Sequence, residues 1–385
     1  MNAVRHNAAC FTPRSTPPLK GVTEMIDMRG RWRPALAVLS AAALLMTGCA
    51  KSEDDPAAKA TADSSAAVQT TKSAEAGGST CTLQQFGGTK IDLKTATIGF
   101  SQSEKEANPF RIAETQSIKD EAAKLGIPAA NLKVTNADSK FDKQITDVST
   151  LIDQGVQLLV IAPLNSDGWD SVFQKAAAKK VPIVTIDRKI NAKHCTDFLT
   201  FIGSDFYEQG KRAADKMAKA LNNTGTVAIL LGAPGNNVTT LRTNGFKDQI
   251  AKVAPNIKIE FEQTGQFSRE EGQKVSEQLL QSKPNINGIY AENDEMALGA
   301  ITALKGASKK AGDVKIVTID GTKGAVQGIV DGWISSVIES NPRFGPLAFG
   351  TATKFFNGEA IPENIIISDR EYDSTNAAAD LGLAY

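Results

Sequence analysis

From residue 95 onward, the apolar positions of the chain form short runs rich in β-branched residues, separated by amphipathic stretches. The near-helical spacing of apolar residues predicts helices over 112–125 and 272–280. Continuous apolar runs are typical of strands that are buried on both faces. Strands are expected at 97–100, 132–135, 158–162, 183–187, 199–202, 227–231, 257–261, 288–291 and 315–319.

Strands that alternate with helices indicate parallel sheets covered on both faces, which is an α/β fold. Ten or more such units are too many for one compact sheet, so the pattern favours two similar, doubly wound lobes. A closed barrel of eight β/α units is the alternative architecture.

Polar residues stand at the carboxyl ends of the predicted strands, where ligands bind in open parallel sheets. One such residue is ordinary, because Asp often caps the next helix, but five groups from both halves of the chain predict two facing polar surfaces. Carboxylate, amide and guanidinium groups suit a ligand rich in hydroxyls. Aromatic faces such as Phe110, Phe267 and Trp169 can pack a sugar ring, although core packing is an equally ordinary role, and the favoured one for Trp169. The groups are Ser101-Gln102, Asp187-Arg188, Ser204-Asp205, Glu292-Asn293-Asp294 and Asp320-Gly321.

The N-terminal region has the pattern of a secretory signal over residues 1–48, with arginines before an apolar run and small residues after it. The sequence Leu45-Met-Thr-Gly-Cys49 resembles the bacterial lipobox, which implies cleavage before Cys49 and acylation of its sulfur. An ordinary signal peptide with an incidental Cys is the alternative. Residues 49–80 are small and polar, so we expect a lipid anchor followed by a disordered linker. Both interpretations place the protein outside the cytoplasm.

Composition narrows the possible chemistry. Residues 1–48 hold six of the 43 Lys and Arg and two of the 43 Asp and Glu, so the remaining chain has a net charge of −4 and no polybasic nucleic-acid surface. The two histidines in the sequence cannot build a multi-histidine metal site, and no metal or cofactor is predicted. Cys81 and Cys195 would face an oxidising compartment and are expected to pair, with two separate buried thiols as the alternative.

Five motifs occur in order between about residues 95 and 370. Together they resemble the ribose/galactose-type periplasmic sugar-binding proteins, the type I solute receptors of ABC importers. The motifs are Asn108-Pro-Phe110, Val184-Thr-Ile-Asp-Arg188, Arg242-Thr-Asn-Gly-Phe246, Glu292-Asn-Asp-Glu-Met296 and Val317-Thr-Ile-Asp-Gly321.

The resemblance implies two lobes joined by three crossovers, with lobe one at 95–203 plus 340–368 and lobe two at 204–339 plus 369–385. It also implies a sugar site between them, and Asp205, at another strand end, is added to the expected set. The residues expected to bind ligand are Asn108, Phe110, Arg111, Asp187, Arg188, Asp205, Arg242, Phe267, Asn293 and Asp320.

Arg111 departs from the ribose-type pattern, in which a second aromatic follows the Phe. An arginine there exchanges ring stacking for hydrogen bonding. Together with Gly168-Trp169, it more closely resembles the galactofuranose-binding branch of the family. We therefore expect a hexose, galactofuranose or a galactose-like sugar, ahead of ribose. Glu114 is placed to support Arg111 one helical turn along.

The expected function is a monomeric, lipid-anchored receptor that delivers sugar to an ABC permease by hinge closure. A sensory receptor that feeds a membrane kinase would use the same core and stays open. A DNA-binding repressor is disfavoured, because a signal and a linker stand where a helix-turn-helix would be. An enzyme is not expected: Thr318 takes the place of the nucleophile in a sequence that faintly resembles the Asp-x-Asp-Gly-Thr phosphatase loop, and it has no adjacent base.

Overall fold

The computed structural model describes residues 70–71 and 79–385, which form two open α/β sheets and a short third pairing. The strands are β1 Thr70–Thr71, β2 Thr80–Cys81, β3 Ile98–Gln102, β4 Leu132–Asn136, β5 Leu158–Ile161, β6 Ile183–Ile186, β7 Thr200–Ser204, β8 Thr224–Leu231, β9 Asn256–Thr264, β10 Gly288–Ala291, β11 Lys315–Asp320, β12 Ser336–Glu339, β13 Ile361–Pro362, β14 Asn364–Ile367 and β15 Glu371–Asp373. The helices are α1 Leu83–Phe86, α2 Pro109–Lys124, α3 Phe141–Asp153, α4 Asp170–Lys179, α5 Phe206–Ala220, α6 Asn237–Val253, α7 Arg269–Ser282, α8 Asp294–Gly306, α9 Lys323–Val330, α10 Gly345–Phe356 and α11 Ala377–Asp380.

Both large sheets are parallel except at one edge strand each. The first has the order β1-β14-β7-β6-β5-β3-β4, with β1 antiparallel to β14, and the second has the order β15-β12-β11-β10-β8-β9, with β15 antiparallel to β12. Strands such as β5, β6 and β10 are buried along their whole length because helices cover both faces. The expected α/β fold with two doubly wound lobes is confirmed, and the single closed barrel is wrong because neither sheet closes on itself.

The chain passes between the two lobes at three places. These crossovers join β7 to α5, β12 to α10, and β14 to β15. They lie at 204–206, 339–345 and 367–371. Helix α10 packs on α2 in the first lobe, and α5 packs on α6 in the second.

All nine expected strands are present, with ends that differ by no more than three residues. The pattern missed β12 and β14, which are four residues long, and the two- and three-residue strands. Short strands of this kind lack a run long enough to distinguish them from loops, and tertiary pairing decides them.

The N-terminal part of the described chain departs from the expected linker. Thr70 and Thr71 pair with β14 as an edge strand, and Thr80 pairs with β13, so the prediction of a disordered segment over 49–80 is wrong at these residues. An unpaired sheet edge offers backbone donors and acceptors that any nearby extended segment can satisfy. The remainder of that segment, Cys49 and the signal lie outside the described residues.

A disulfide joins Cys81 to Cys195, with the Cα atoms 5.2 Å apart. It fastens the segment that precedes β3 to the loop that follows β6. Leu93 and Ala96 of the same segment are buried in the core of the first lobe, together with Cys81. Residues 79–97 therefore belong to the first lobe. Within residues 70–71 and 79–385, no helix is long and apolar enough to cross a membrane.

Candidate ligand-binding site

The two lobes meet at a polar cavity. Its walls come from the carboxyl ends of strands in both sheets and from the first turns of the helices that follow. The lining residues are Glu104, Asn108, Phe110, Arg111, Asp187, Arg188, Val238, Arg242, Phe267, Asn293 and Asp320.

Local backbone geometry directs several of these side chains into the cavity. Asp187 follows β6 with φ 64°, and Phe267 follows β9 with φ 56°, both in the left-handed region that non-glycine residues rarely occupy. Such strained conformations concentrate at functional sites. Asn108 starts α2 by accepting a hydrogen bond from the Phe110 backbone N–H at 2.9 Å, and Pro109 fits the first helical position.

Arg111 is the centre of the charged wall contributed by the first lobe. Its Nε donates to Glu104 at 3.0 Å, and its Nη1 donates to Glu114 at 2.8 Å and to Asp187 at 2.7 Å. These contacts use Nε and Nη1, so among the described residues Nη2 is the nitrogen left over for a ligand. Burial raises the pKa of Glu114 to about 7 even though the Arg111 charge opposes the shift.

Arg188 completes the same wall. Its Nη2 donates to Glu104 at 2.6 Å, and its Nε lies 3.6 Å from the Asp187 carboxylate. That Nε is buried and has no hydrogen-bond partner in the described part of the chain. A buried donor without a hydrogen-bond partner is costly, and the charge of the Asp187 carboxylate offsets part of that cost.

The second lobe contributes an arginine and a carboxylate of its own. Arg242 donates from Nε to Gln209 at 2.9 Å, from Nη1 to the Glu292 carbonyl at 2.5 Å and from Nη2 to Asp320 at 3.4 Å. Burial raises the pKa of Asp320 well above its ordinary value, against the opposing charge of Arg242. Asn293 donates to the Phe267 carbonyl at 3.2 Å and caps α8.

Two aromatic rings flank the polar groups. The Arg111 guanidinium carbon lies 4.9 Å from the Phe110 ring centroid, and that of Arg188 lies 5.7 Å from the Phe267 ring. Tyr385 at the C-terminus packs edge-on against Phe110, with the ring centroids 6.0 Å apart. The rings therefore hold two of the arginines and offer apolar faces to a ligand.

A second set of carboxylates supports the wall of the second lobe from behind. Asp294 accepts from the backbone N–H groups of Gly321 and Thr322 at 2.8 and 2.7 Å, which fixes the turn that carries Asp320. Glu292 accepts from the Gly232 N–H at 2.7 Å and from the Thr243 hydroxyl. Burial raises the pKa of Asp294 to about 7 and that of Glu292 to about 7.

Nine of the ten residues expected to bind ligand line this cavity, and Asp205 does not. Asp205 is exposed, and its carboxylate caps α5 by accepting from the Glu208 N–H at 2.9 Å. Its inclusion in the site is corrected on that geometry. Trp169 lies in the core of the first lobe, where its indole N–H donates to the Asn165 carbonyl. The sequence interpretation missed Glu104, which lies in a run of polar residues without a periodic pattern.

The cavity combines hydrogen-bond donors and acceptors with apolar ring faces. This chemistry suits an uncharged molecule that carries several hydroxyls, because each hydroxyl can both donate and accept. The described residues contain no cluster of three or more His, Cys, Asp or Glu side chains that could hold a metal ion.

A family model described as the periplasmic binding protein domain matches residues 98–360. The chain belongs to the periplasmic binding protein family. The expected resemblance to the type I sugar receptors of ABC importers is thereby confirmed, and the match covers both lobes and the cavity between them.

Individual members of the family show the same relationship. The galactofuranose-binding protein YtfQ of Escherichia coli is 34% identical over 277 residues, which cover 71% of this chain and 86% of the relative. The ribose import binding protein RbsB of Bacillus subtilis is 34% identical over 273 residues, which cover 71% of this chain and 85% of the relative. A Mycobacterium smegmatis structure in complex with β-D-fucofuranose has a TM-score of 0.71 and 36% identity, and covers 74% of this chain and 94% of that one.

Proposed function

We propose that this protein is an extracytoplasmic receptor that encloses a sugar between its lobes and delivers it to an ABC importer. The single observation that carries the proposal is the cavity, in which charged groups from both lobes and two aromatic rings face one another. A ligand that touches both walls binds the closed form better than the open one, and this difference drives closure.

The preferred ligand in this proposal is a neutral hexose, galactofuranose or a galactose-like sugar. Arg111 supports this choice, because it brings a hydrogen-bonding fork to a position where the ribose-type pattern has a ring. The relatives named above are described as binding galactofuranose, ribose and β-D-fucofuranose, which are sugars of related chemistry. The sugar leaves the site chemically unchanged. A sensory role beside a membrane kinase would use the same closure.

The first test is a binding measurement on the purified protein and on Asp187→Ala. Removing this carboxylate takes away the partner of Arg111 Nη1 at 2.7 Å and the carboxylate nearest Arg188 Nε, so sugar affinity should be lost while the fold remains. Asp205→Ala is the matched control, because Asp205 also follows a strand but lies outside the cavity. Equal affinity for the wild-type protein and Asp187→Ala would remove Asp187 from the site.

The anchor is a separate part of the proposal. A lipid on Cys49 would hold the receptor at the outer face of the membrane, beside a permease. Mass spectrometry of the membrane fraction should find an acylated Cys49 at the mature N-terminus. Cys49→Ala should release the protein, and retention of that variant at the membrane would contradict the anchor.

A further inference from the structure

Glu104 holds an unusual position in the wall of the first lobe. Its carboxylate accepts from Arg111 Nε at 3.0 Å through one oxygen and from Arg188 Nη2 at 2.6 Å through the other. The two arginines come from different elements, α2 and the loop after β6, and they converge on this one carboxylate. Both guanidinium groups are buried, with 4% and 2% of their side chains exposed.

Two guanidinium edges that converge on one carboxylate form the arrangement by which proteins bind anionic ligands. Arginine presents its N–H groups in a fixed planar fork that matches the oxygens of a carboxylate or phosphate. In this protein the acceptor is part of the chain itself. The pair of arginines is therefore an anion-binding site, and an internal anion occupies it.

We propose that Glu104 is a specificity-determining residue: it fills the anion site of Arg111 and Arg188 and so restricts the cavity to neutral sugars. This inference rests on the proposed sugar-binding function. An acidic sugar, such as a uronate, would bring a second negative charge to arginines that are already neutralised.

The charges around the site support this role. The two arginines face Glu104 and Asp187, and Arg111 also pairs with Glu114, so the positive charge of this wall is balanced before a ligand arrives. Burial favours the neutral form of Glu104, but the Arg188 and Arg111 charges outweigh it and lower the pKa to about 2. The internal anion therefore keeps its charge throughout the physiological pH range.

Glu104→Ala should empty the anion site, and formate is the probe that refills it. The variant should bind galactose about tenfold or more weakly than the wild-type protein, the change expected from losing one charge-assisted hydrogen bond. Sodium formate should restore most of that affinity, and sodium chloride at the same ionic strength should not. Galacturonate, the acid that corresponds to galactose, should bind Glu104→Ala and not the wild-type protein.

Glu106→Ala is the matched control, because Glu106 lies in the same loop and is exposed. It should behave as the wild-type protein does with galactose, galacturonate and formate. Glu104→Ser removes the carboxylate and leaves room for another anion beside the two arginines. It should gain galacturonate binding even if Glu104→Ala does not fold.

The outcomes separate the inference from the function on which it rests. If the wild-type protein binds no neutral sugar, the proposed function fails, and formate binding to Glu104→Ala alone still tests the anion site by calorimetry. If galactose binds the wild-type protein but neither formate rescue nor galacturonate binding appears in the Glu104 variants, the anion-site role is overturned.

Discussion

Asp369 offers the sharpest test of the electrostatics between the lobes. It lies in the third crossover and accepts from Ser204 Oγ of the first crossover at 3.1 Å. Ser204 Oγ in turn lies 3.4 Å from Ser340 Oγ of the second crossover. The other carboxylate oxygen of Asp369 accepts from Gln209 Nε2 at 2.8 Å. One carboxylate therefore connects the three segments about which the lobes must rotate.

Burial, reinforced by the nearby Glu339, raises the pKa of Asp369 from 3.8 to about 7. Since the folded protein holds this proton more tightly than the unfolded chain, the stability it contributes is complete below about pH 4 and is lost as the pH rises through 7. The full difference corresponds to about 4 kcal/mol at ~1.36 kcal/mol per pKa unit. About 3 kcal/mol of this should disappear between about pH 5 and 8.

Asp369→Asn removes the titration and keeps groups that can pair with Ser204 and Gln209. Its free energy of unfolding, measured by urea denaturation, should rise relative to the wild-type protein by about 3 kcal/mol between about pH 5 and 8. The other buried carboxylates titrate in both proteins, so this difference isolates Asp369. Asp120→Asn, on the exposed face of α2, should show no such change. A difference between Asp369→Asn and the wild-type protein that does not depend on pH would refute the reasoning.

Three further substitutions test the site and its frame. Gly232→Ala would place a Cβ 2.0 Å from the Phe267 ring and 2.6 Å from the Thr239 hydroxyl, so both must move and sugar affinity should fall about tenfold, by calorimetry; unchanged affinity would show that the Phe267 ring does not contact the ligand. Arg111→Phe should shift preference from hexoses towards pentoses, and an unaltered ligand profile would count against the proposed role of Arg111. Replacing both Cys81 and Cys195 by Ser removes a disulfide that links residues 114 positions apart in the sequence. The free energy of unfolding, measured in urea, should fall by about 2–5 kcal/mol while sugar affinity stays the same. Equal stability would contradict a structural role for the disulfide.

The fold could be predicted because its strands are long apolar runs. β5, β6 and β10 are buried on both faces, and this environment leaves a pattern that needs no tertiary information. The edge strands could not be predicted in this way. β15 has three residues and owes its conformation to pairing with β12, a partner far away in the sequence.

In the candidate site, too, some features follow from the sequence pattern and others depend on tertiary structure. Asp187 and Asp205 both follow buried strands, and the sequence treats them alike. Asp187 takes φ 64°, and its carboxylate accepts a hydrogen bond from Arg111. Asp205 instead precedes a helix, and its carboxylate caps that helix by accepting from the Glu208 N–H. Glu104 lies near Glu106 in one polar loop, and only the path of that loop decides which carboxylate reaches the arginines. Loop paths depend on tertiary packing that periodicity does not describe.

The central claim is that this cavity captures a neutral sugar and returns it unchanged. The most direct test is calorimetry of the purified protein against neutral pentoses and hexoses in both ring forms, followed by chromatography of the recovered ligand. We predict a single site for a hexose of the galactose type with an affinity near micromolar, about −8 kcal/mol, and an unaltered sugar afterwards. Absence of binding to every sugar in the panel, or a recovered sugar that has been cleaved or modified, would contradict it.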